Sequence, residues 1–247
     1  VARCMLSSSV ATRMLLNADL GEGEPVARTR ALMRLIDLAN IACGGHAGSV
    51  ASMERTVRLA REHSVAIGAH PGVAADFGRG ALALDGDRLE ALLLQQISAL
   101  AAVCKACGAK LHHVKLHGAL YHAVENSEDL ARRYVAFVRA WFPRLVLVGF
   151  AGGRVVRRAR AAGMRALDEA FAERGYLPDG RLVPRGEPGD LIASPVAVAE
   201  RVSTLRDAGS IEARNGQSIR VEAGTICVHS DSPGSVAIAR AVRGVLG

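Results

Sequence analysis

The sequence predicts an α/β fold, specifically a parallel β/α barrel, and three observations lead there. First, short apolar runs end on ionisable residues beside glycine at residues 15–22, 40–46, 65–70 and 113–117, and a fifth does so at 226–231. A buried strand has reason to finish on an ionisable group only where that group faces a cavity. Second, segments of helical period separate these runs, so their tips can converge on one mouth. Third, the 247 residues are close to the length of one such barrel. An open doubly wound sheet would gather its site at a single switch point; polar tips on nearly every strand favour closure.

Taken in order, residues 14–18 read as the first strand, 26–38 as an amphipathic helix and 41–43 as a short second strand. Ser49 is placed to cap a helix running through His63, and 65–69 form strand three. A glycine-containing loop over 71–84 leads to Asp85, which can cap a long helix to about Cys107, stopped by Gly108. Strand four covers 111–116. Ser127 caps a helix that ends near Trp141, just before Pro143. Residues 145–148 make strand five, 152–162 a short basic helix, and 164–167 strand six, which breaks into Asp168 and Glu169. The alternation then lapses over 171–190, where Gly175, Pro178, Gly180, Pro184, Gly186 and Pro188 fall. So long an irregular stretch is usually a functional loop or lid. Residues 195–208 are helical, and 218–221 form a short strand set to pair in a hairpin with 225–228. Ser232 caps the last helix, with Pro233 at its first position. Residues 1–13 read as a loose N-terminal extension and 14–247 as a single barrel domain.

Half of the chain is hydrophobic and only 4% aromatic, so its core is built from Ala, Val, Leu and Ile. The apolar runs are shorter than the roughly 20 residues that cross a bilayer, so no membrane span is expected. Residues 1–13 lack the apolar segment of a secretory signal. The net charge of +7 comes from Arg residues spread over the helices. No basic stripe with interleaved aromatics is visible, so nucleic acid is not an expected partner. Five cysteines without framework spacing suit a reducing cytoplasm. Cys104 and Cys107 have no second pair to complete a zinc set and read as structural thiols.

The strand tips supply the chemistry. Asp19 and Glu22 are paired carboxylates, suited to acid and base work or to holding a metal. His46 and His70 follow equivalent strands. Asp19, His46 and His70 could together take a divalent ion, with imidazole suited to Zn and carboxylate also accepting Mg or Mn. Alternation along a strand turns His113, Lys115 and His117 to one side. Burying the Lys115 ammonium requires a carboxylate partner or an incoming anion. Glu169, Arg174 and Arg185 flank the Gly/Pro-rich loop, and an Arg fork can grip carboxylate or phosphate. His229 and Asp231 complete the ring. Cys43 and Cys227 read as strand-end packing rather than as nucleophiles. There is no G-x-x-x-x-G-K-[ST] loop, no strand-borne G-x-G-x-x-G and no G-x-S-x-G elbow.

Read together, Leu16-Asn-Ala-Asp-Leu-Gly-Glu22, Asn40-Ile-Ala-Cys-Gly, His46-Ala-Gly, Ile67-Gly-Ala-His-Pro71, His113-Val-Lys, His117-Gly-Ala-Leu-Tyr121, Glu169-Ala-Phe-Ala and Ile226-Cys-Val-His resemble the LamB/YcsF family, in order and from about Met14 to the C-terminus. The resemblance implies a distorted seven-stranded TIM-like barrel of the glycoside hydrolase/deacetylase kind. It implies the role of the A subunit in an ATP-dependent 5-oxoprolinase, opening 5-oxo-L-proline to L-glutamate with partner subunits B and C and with ATP as co-substrate. Asp19, Glu22, His46, His70, Lys115 and His117 are then the expected catalytic set. Asn17, Glu169, Arg174, Arg185, His229 and Asp231 are the expected substrate contacts. A homo-oligomer is compatible with this. The chain departs from the family pattern at Gly45, Leu116, His122 and Ser230, where the pattern carries Phe, Pro, Asn and Gly. The segment after Pro71 is also shorter, with Gly80 in place of an Arg. Two other readings stay open: a stand-alone metal-dependent hydrolase or deacetylase, and a non-catalytic binding subunit.

Overall fold

The computed structural model describes residues 13–74, 84–232 and 234–247. Nearly all of the expected N-terminal extension, most of the shortened loop after Pro71, and Pro233 lie outside the described residues. Seven parallel strands close into a barrel: β1 (Leu15–Leu20), β2 (Leu38–Ala42), β3 (Ala66–His70), β4 (Leu111–Lys115), β5 (Val146–Phe150), β6 (Ala166–Phe171) and β9 (Thr225–His229), which closes the ring between β6 and β1. Two short strands, β7 (Ser210–Glu212) and β8 (Ser218–Arg220), form an antiparallel pair outside it.

Each strand alternates between two environments, as a period of two requires. Leu16, Ala18, Leu20, Ile41, Ile67, Ala69, Val114, Leu147, Ala170, Ile226 and Val228 join the apolar core under the helices. Asn17, Asp19, Asn40, His70, His113, Lys115, Glu169 and Thr225 are buried on the opposite face, inside the barrel. The interior is therefore polar, and polar groups there need partners. A chain of bonds supplies many of them. Thr225 Oγ1 donates to Leu15 O (3.1 Å), Asn17 Nδ2 donates to Thr225 Oγ1 (2.9 Å), and Asn40 Nδ2 donates to both Asn17 Oδ1 and Asp19 Oδ1 (2.8 Å each). His113 Nε2 lies 2.8 Å from Asn40 Oδ1 and donates to it. Gly68 leaves room for that ring: a Cβ there would sit 2.1 Å from His113 Nε2.

Among the described residues, eight helices wrap the barrel: α1 (Val26–Met33), α2 (Val50–Glu62), α3 (Gly86–Ala106), α4 (Gly118–Asn126), α5 (Glu128–Trp141), α6 (Arg154–Ala161), α7 (Pro195–Ala208) and α8 (Ser235–Leu246). The expected caps are in place. Ser49 and Ser52 form a reciprocal capping box on α2, Asp85 accepts from Arg88 N on α3, and Ser127 accepts from Leu130 N on α5. Each such cap contributes about 1 kcal/mol.

Several expectations are corrected. The first helix does not reach Leu38: it stops at Met33, because Asp37 turns the chain by accepting from Leu16 N (2.8 Å) and Leu38 enters β2. Strand six runs on to Phe171, so Asp168 and Glu169 lie within it rather than beyond it. Helix α4 occupies residues for which no element was expected. The expected hairpin between 218–221 and 225–228 does not form. Ser218–Arg220 alternates exposed and buried and suits a surface ribbon, so it pairs with β7. Thr225, Ile226, Cys227 and Val228 are fully buried on both faces, as in a central parallel strand. The last helix is capped at Gly234 rather than Ser232, whose hydroxyl donates to Glu173 instead (3.1 Å). Finally, α3 is long and apolar enough to cross a bilayer by length and composition, contrary to expectation. Its stripe of Leu89, Leu93, Ile97 and Leu100 packs fully buried in the barrel's apolar core.

Candidate active site

Asp19 stands where the interior opens toward the mouth, level with Asn40 on one neighbouring strand and His229 on the other. Its Oδ1 accepts from Lys115 Nζ and from Asn40 Nδ2, both at 2.8 Å, while Oδ2 lies 3.4 Å from His70 Nε2. Lys115 is almost fully buried, at 2% exposure. Its ammonium also reaches Cys227 Sγ at 3.0 Å and Glu169 Oε1 at 3.0 Å. The contact with Glu169 is an ion pair by distance only; its angle falls outside hydrogen-bond geometry, and neither Glu169 oxygen has a bonded partner. Of the two partners expected for the buried Lys115 ammonium, a carboxylate or an incoming anion, the geometry shows the carboxylate of Asp19. Its contacts with Asp19, Cys227 and Glu169 are all with protein groups, and the shortest holds Asp19.

Glu22 organises the second half of the site. The turn after β1 needs left-handed backbone at Gly21 (φ +80°) and Gly23 (φ +100°). Glu24 fixes that turn by accepting from Gly21 N (2.8 Å), Glu22 N (2.9 Å) and Thr29 Oγ1 (2.9 Å). Three imidazoles then crowd Glu22 Oε1: His46 Nε2 at 2.7 Å, His117 Nδ1 at 3.2 Å and His70 Nε2 at 3.6 Å. His46 and His117 stack in parallel, with centroids 3.6 Å apart, and His70 meets both edge-on. His70 Nδ1 donates to Lys115 O (2.9 Å), which leaves its Nε2 facing His117 Nδ1 at 3.1 Å. Gly72 closes the arrangement from behind. A Cβ there would lie 2.4 Å from His46 Nδ1 and 2.9 Å from His117 Cβ.

The electrostatics follow from burial set against neighbouring charge. Burial works to raise the Asp19 carboxyl, but the charges of His70 and Lys115 outweigh it and hold the group well below its ordinary range. Glu22 is likewise lowered, because bonds from His117 and His46 overcome its desolvation. Burial would lower His70, yet Asp19 and Glu22 together raise it; His46 stays lowered by burial. The two carboxylates therefore favour the charged form of His70 more than water does, one contact from His117. Burial pushes the Cys43 thiol up to about 12, and Cys227 well above its usual value, so neither is a ready thiolate.

The expected metal set of Asp19, His46 and His70 is not the group that converges. Donor atoms of Glu22, His46, His70 and His117 instead lie within 4.8 Å of one another. The 3.1 Å between His70 Nε2 and His117 Nδ1 is close to the roughly 3.4 Å between ligands of a tetrahedral zinc shell. A metal bonds in the plane of an imidazole, however, and the His46 and His117 planes are parallel, 4° apart. One ion cannot lie in both. The residues fit an ion held by Glu22, His70 and one of the stacked rings, and they do not fit a four-ligand site.

The other expected substrate contacts divide. Asn17 is fully buried one layer below Asp19 and bonded to Thr225 and Asn40, out of reach of a substrate. Glu169 is buried beside Lys115, and its carboxyl is raised by desolvation. Arg174 spends its guanidinium on Asp190 O (3.2 Å) and Val183 O (2.7 Å), bracing the Gly/Pro-rich loop. Arg185 and Asp231 face each other at the rim, 4.0 Å apart. His229 does belong to the mouth. Sequence reasoning missed Glu24, Asn40 and Glu173. Asn40 lies in one of the family motifs, but only the pairing of β1 with β2 in register places it against Asp19.

A closed parallel barrel whose carboxylates and imidazoles gather at the C-terminal ends of its strands defines the class of β/α barrels with a site at that mouth. A profile of the LamB/YcsF family matches residues 14–247, and the chain belongs to that family. It is 45% identical over 233 residues to a protein of Pyrococcus furiosus named as the 5-oxoprolinase A subunit, covering 92% of this chain and 91% of that one. It is 43% identical over 233 residues to the protein of the same name from Methylococcus capsulatus, covering 92% and 90%. Among solved structures, the lactam utilization protein of Thermus thermophilus superposes with a TM-score of 0.86 at 42% identity, covering 95% of this chain and 96% of that one.

Proposed function

We propose that this chain is the A subunit of an ATP-dependent 5-oxoprolinase, a single barrel domain that opens the lactam of 5-oxo-L-proline together with partner subunits B and C. The observation that carries the reading is the suspension of Asp19 between Lys115 (2.8 Å) and His70 (3.4 Å), beside the three imidazoles on Glu22. Relatives named as 5-oxoprolinase A subunits, matched over nine-tenths of their length, supply the substrate class. The free, buried cysteines Cys43, Cys104, Cys107 and Cys227 suit a reducing cytoplasm.

A lactam carbonyl is resonance-stabilised and its oxygen is a poor leaving group. Transfer of the γ-phosphoryl group of ATP to that oxygen releases ADP and activates the carbon. Water adds to the carbon, the C–N bond breaks as the nitrogen takes a proton, and a second water converts the resulting acyl phosphate to carboxylate and phosphate. Protonating the departing nitrogen falls to His117, half-exposed and backed by the proton on His70 and by Glu22. Asp19, kept ionised by Lys115, holds that proton on His70. If an ion binds Glu22, His70 and one stacked histidine, it would supply Lewis acidity at the same place.

The test is glutamate release from 5-oxo-L-proline by this chain with its cognate partner subunits. ATP-dependent release that needs this chain and is lost in Asp19→Asn supports the reading; no release from the assembled complex defeats it. A second reading, a stand-alone metal-dependent hydrolase, draws on the convergence of Glu22, His70 and His117. Tightly bound metal with ATP-independent amide or ester turnover would establish it instead.

A further inference from the structure

A buried carboxylate outside the residues used above makes three bonds with one oxygen. Glu173, in the segment after β6, is 1% exposed. Its Oε1 accepts from His229 N (2.9 Å), His229 Nδ1 (2.8 Å) and Ser232 Oγ (3.1 Å). The first two bonds grip both the backbone and the ring of one residue. With Nδ1–H committed to Glu173, Nε2 is the nitrogen that carries the lone pair in the neutral ring. The ring is also pinned against Phe171, nearly parallel at 10° with centroids 5.6 Å apart.

His229 faces the mouth. It is the register partner of Asp19 across β1 and β9, and a ring nitrogen lies within 4.8 Å of an Asp19 oxygen. Among the imidazoles around Asp19, His70 is 1% and His46 7% exposed at the side chain, while His117 is 34% and His229 15% exposed. The two that a substrate can best reach therefore belong to two separate carboxylate-backed units. His117 stands on Glu22 and His229 on Glu173, with Asp19 touching both neighbourhoods. Breaking a C–N bond with water needs one group to remove a proton from the water and another to deliver one to nitrogen. An imidazole oriented by a buried carboxylate through Nδ1 is arranged for the first task, as in hydrolytic triads.

We propose that His229 is the general base of the lactam-opening step, taking a proton from the attacking water at Nε2, and that Glu173 is its positioning residue. The proposal rests on the functional reading above and adds a residue to it. The proton taken from water resides on His229 as the imidazolium, which Glu173 stabilises, and returns to solvent after product leaves. Charged and titratable groups around His229 include Glu173, Asp19 on β1 and Cys227 on its own strand. Lys115 lies behind Asp19, and Arg28 donates to the neighbouring Ser230 O at 3.1 Å.

The experiment compares wild type, Glu173→Gln, Glu173→Asp and His229→Gln in the assembled enzyme, measuring kcat and the pH profile of kcat/KM for glutamate release. Gln can keep the accepting oxygen of Glu173, so the variant should fold, which thermal melting checks. We expect a fall of roughly 100-fold or more in kcat for Glu173→Gln and His229→Gln. The acidic limb of Glu173→Gln should move to lower pH, because the imidazolium has lost its carboxylate. Glu173→Asp should recover part of the rate. A substrate-free readout accompanies these: NMR of the imidazoles should show an Nδ1-protonated His229 in wild type, whose Nδ1 proton resonance moves upfield in Glu173→Gln, where the acceptor is no longer charged. If Glu173→Gln does not fold, His229→Gln and the wild-type tautomer carry the test. Glutamate release that survives His229→Gln with kcat unchanged overturns the proposal, as does an unmoved pH profile in folded Glu173→Gln. Failure of wild type to release glutamate is a different result, and it removes the functional reading itself.

Discussion

Lys115 Nζ lies 2.8 Å from Asp19 Oδ1, and both side chains are nearly sealed from solvent, at 2% and 6% exposure. In that setting the pair is a commitment: removing either partner strands a buried charge, at a cost of about 3–5 kcal/mol. Asp19→Asn should therefore lose stability as well as activity. Adding Lys115→Met to it should restore part of the stability and none of the activity. Denaturant titration of the single and double variants checks the coupling, and the steady-state rate checks the separation.

The Glu22 cluster should divide between stability and rate. His117 is half-exposed and makes no backbone bond through its ring, so His117→Gln should melt within a few degrees of wild type while kcat falls roughly 10²- to 10⁴-fold. His70 is buried and bonded to Lys115 O, so His70→Gln should lower both. Paired melting curves and rates distinguish the two.

Gly72 is a steric test of the stacked pair. Its substitution by Ala would press a methyl group to 2.4 Å from His46 Nδ1. Overpacking of this kind costs about 1–3 kcal/mol. The rate should fall further than the stability loss accounts for, because the stack itself is displaced. The same crowding bears on Gly45, where a Cβ would lie 2.0 Å from Gly72 O and 2.3 Å from Gln96 Nε2. Gly45→Phe, which restores the residue the family pattern carries, should destabilise this chain, as read by thermal melting.

His113 makes a pH prediction. Burial, followed by the charges of His112 and Lys115, lowers it from 6.5 to about 3. Between those values the unfolded chain binds the extra proton and the folded one does not, so stability falls as pH falls. One residue contributes a slope of up to about 1.4 kcal/mol per pH unit in that window. Lowered Asp19 and Glu22 add acid lability in the same direction, as their carboxylates take protons. Stability against pH should be flatter in His113→Gln than in wild type over this range, measured by urea titration at successive pH values.

Much of the barrel is readable in the sequence, because the periods of strand and helix are local. Ser49, Asp85 and Ser127 mark helix starts, and the alternation of His113, Val114 and Lys115 places two ionisable groups on the inner face. Where a short apolar run fits either period, local reading fails. Leu38 reads as helix until its pairing with Asn17 and Ala66 makes it strand. Residues 225–228 read as half of a hairpin until the gap between β6 and β1 claims them.

The sequence by itself determined which residue types stand at the strand ends, and hence that Asp19, Glu22, His46, His70, His117 and His229 share one mouth. Only the tertiary structure decided what each of them faces. Closure of the ring brings Lys115 beneath Asp19, 96 positions away in the chain, and so gives the buried ammonium its carboxylate partner. Neighbouring strands β1 to β4 set Glu22, rather than Asp19, among the three imidazoles, and the pairing of β9 with β6 sets Glu173 under His229. Side-chain period is a property of neighbouring residues and is written along the chain. Partner choice in a buried polar interior depends on distances across the barrel, which exist only once the last strand has joined the first.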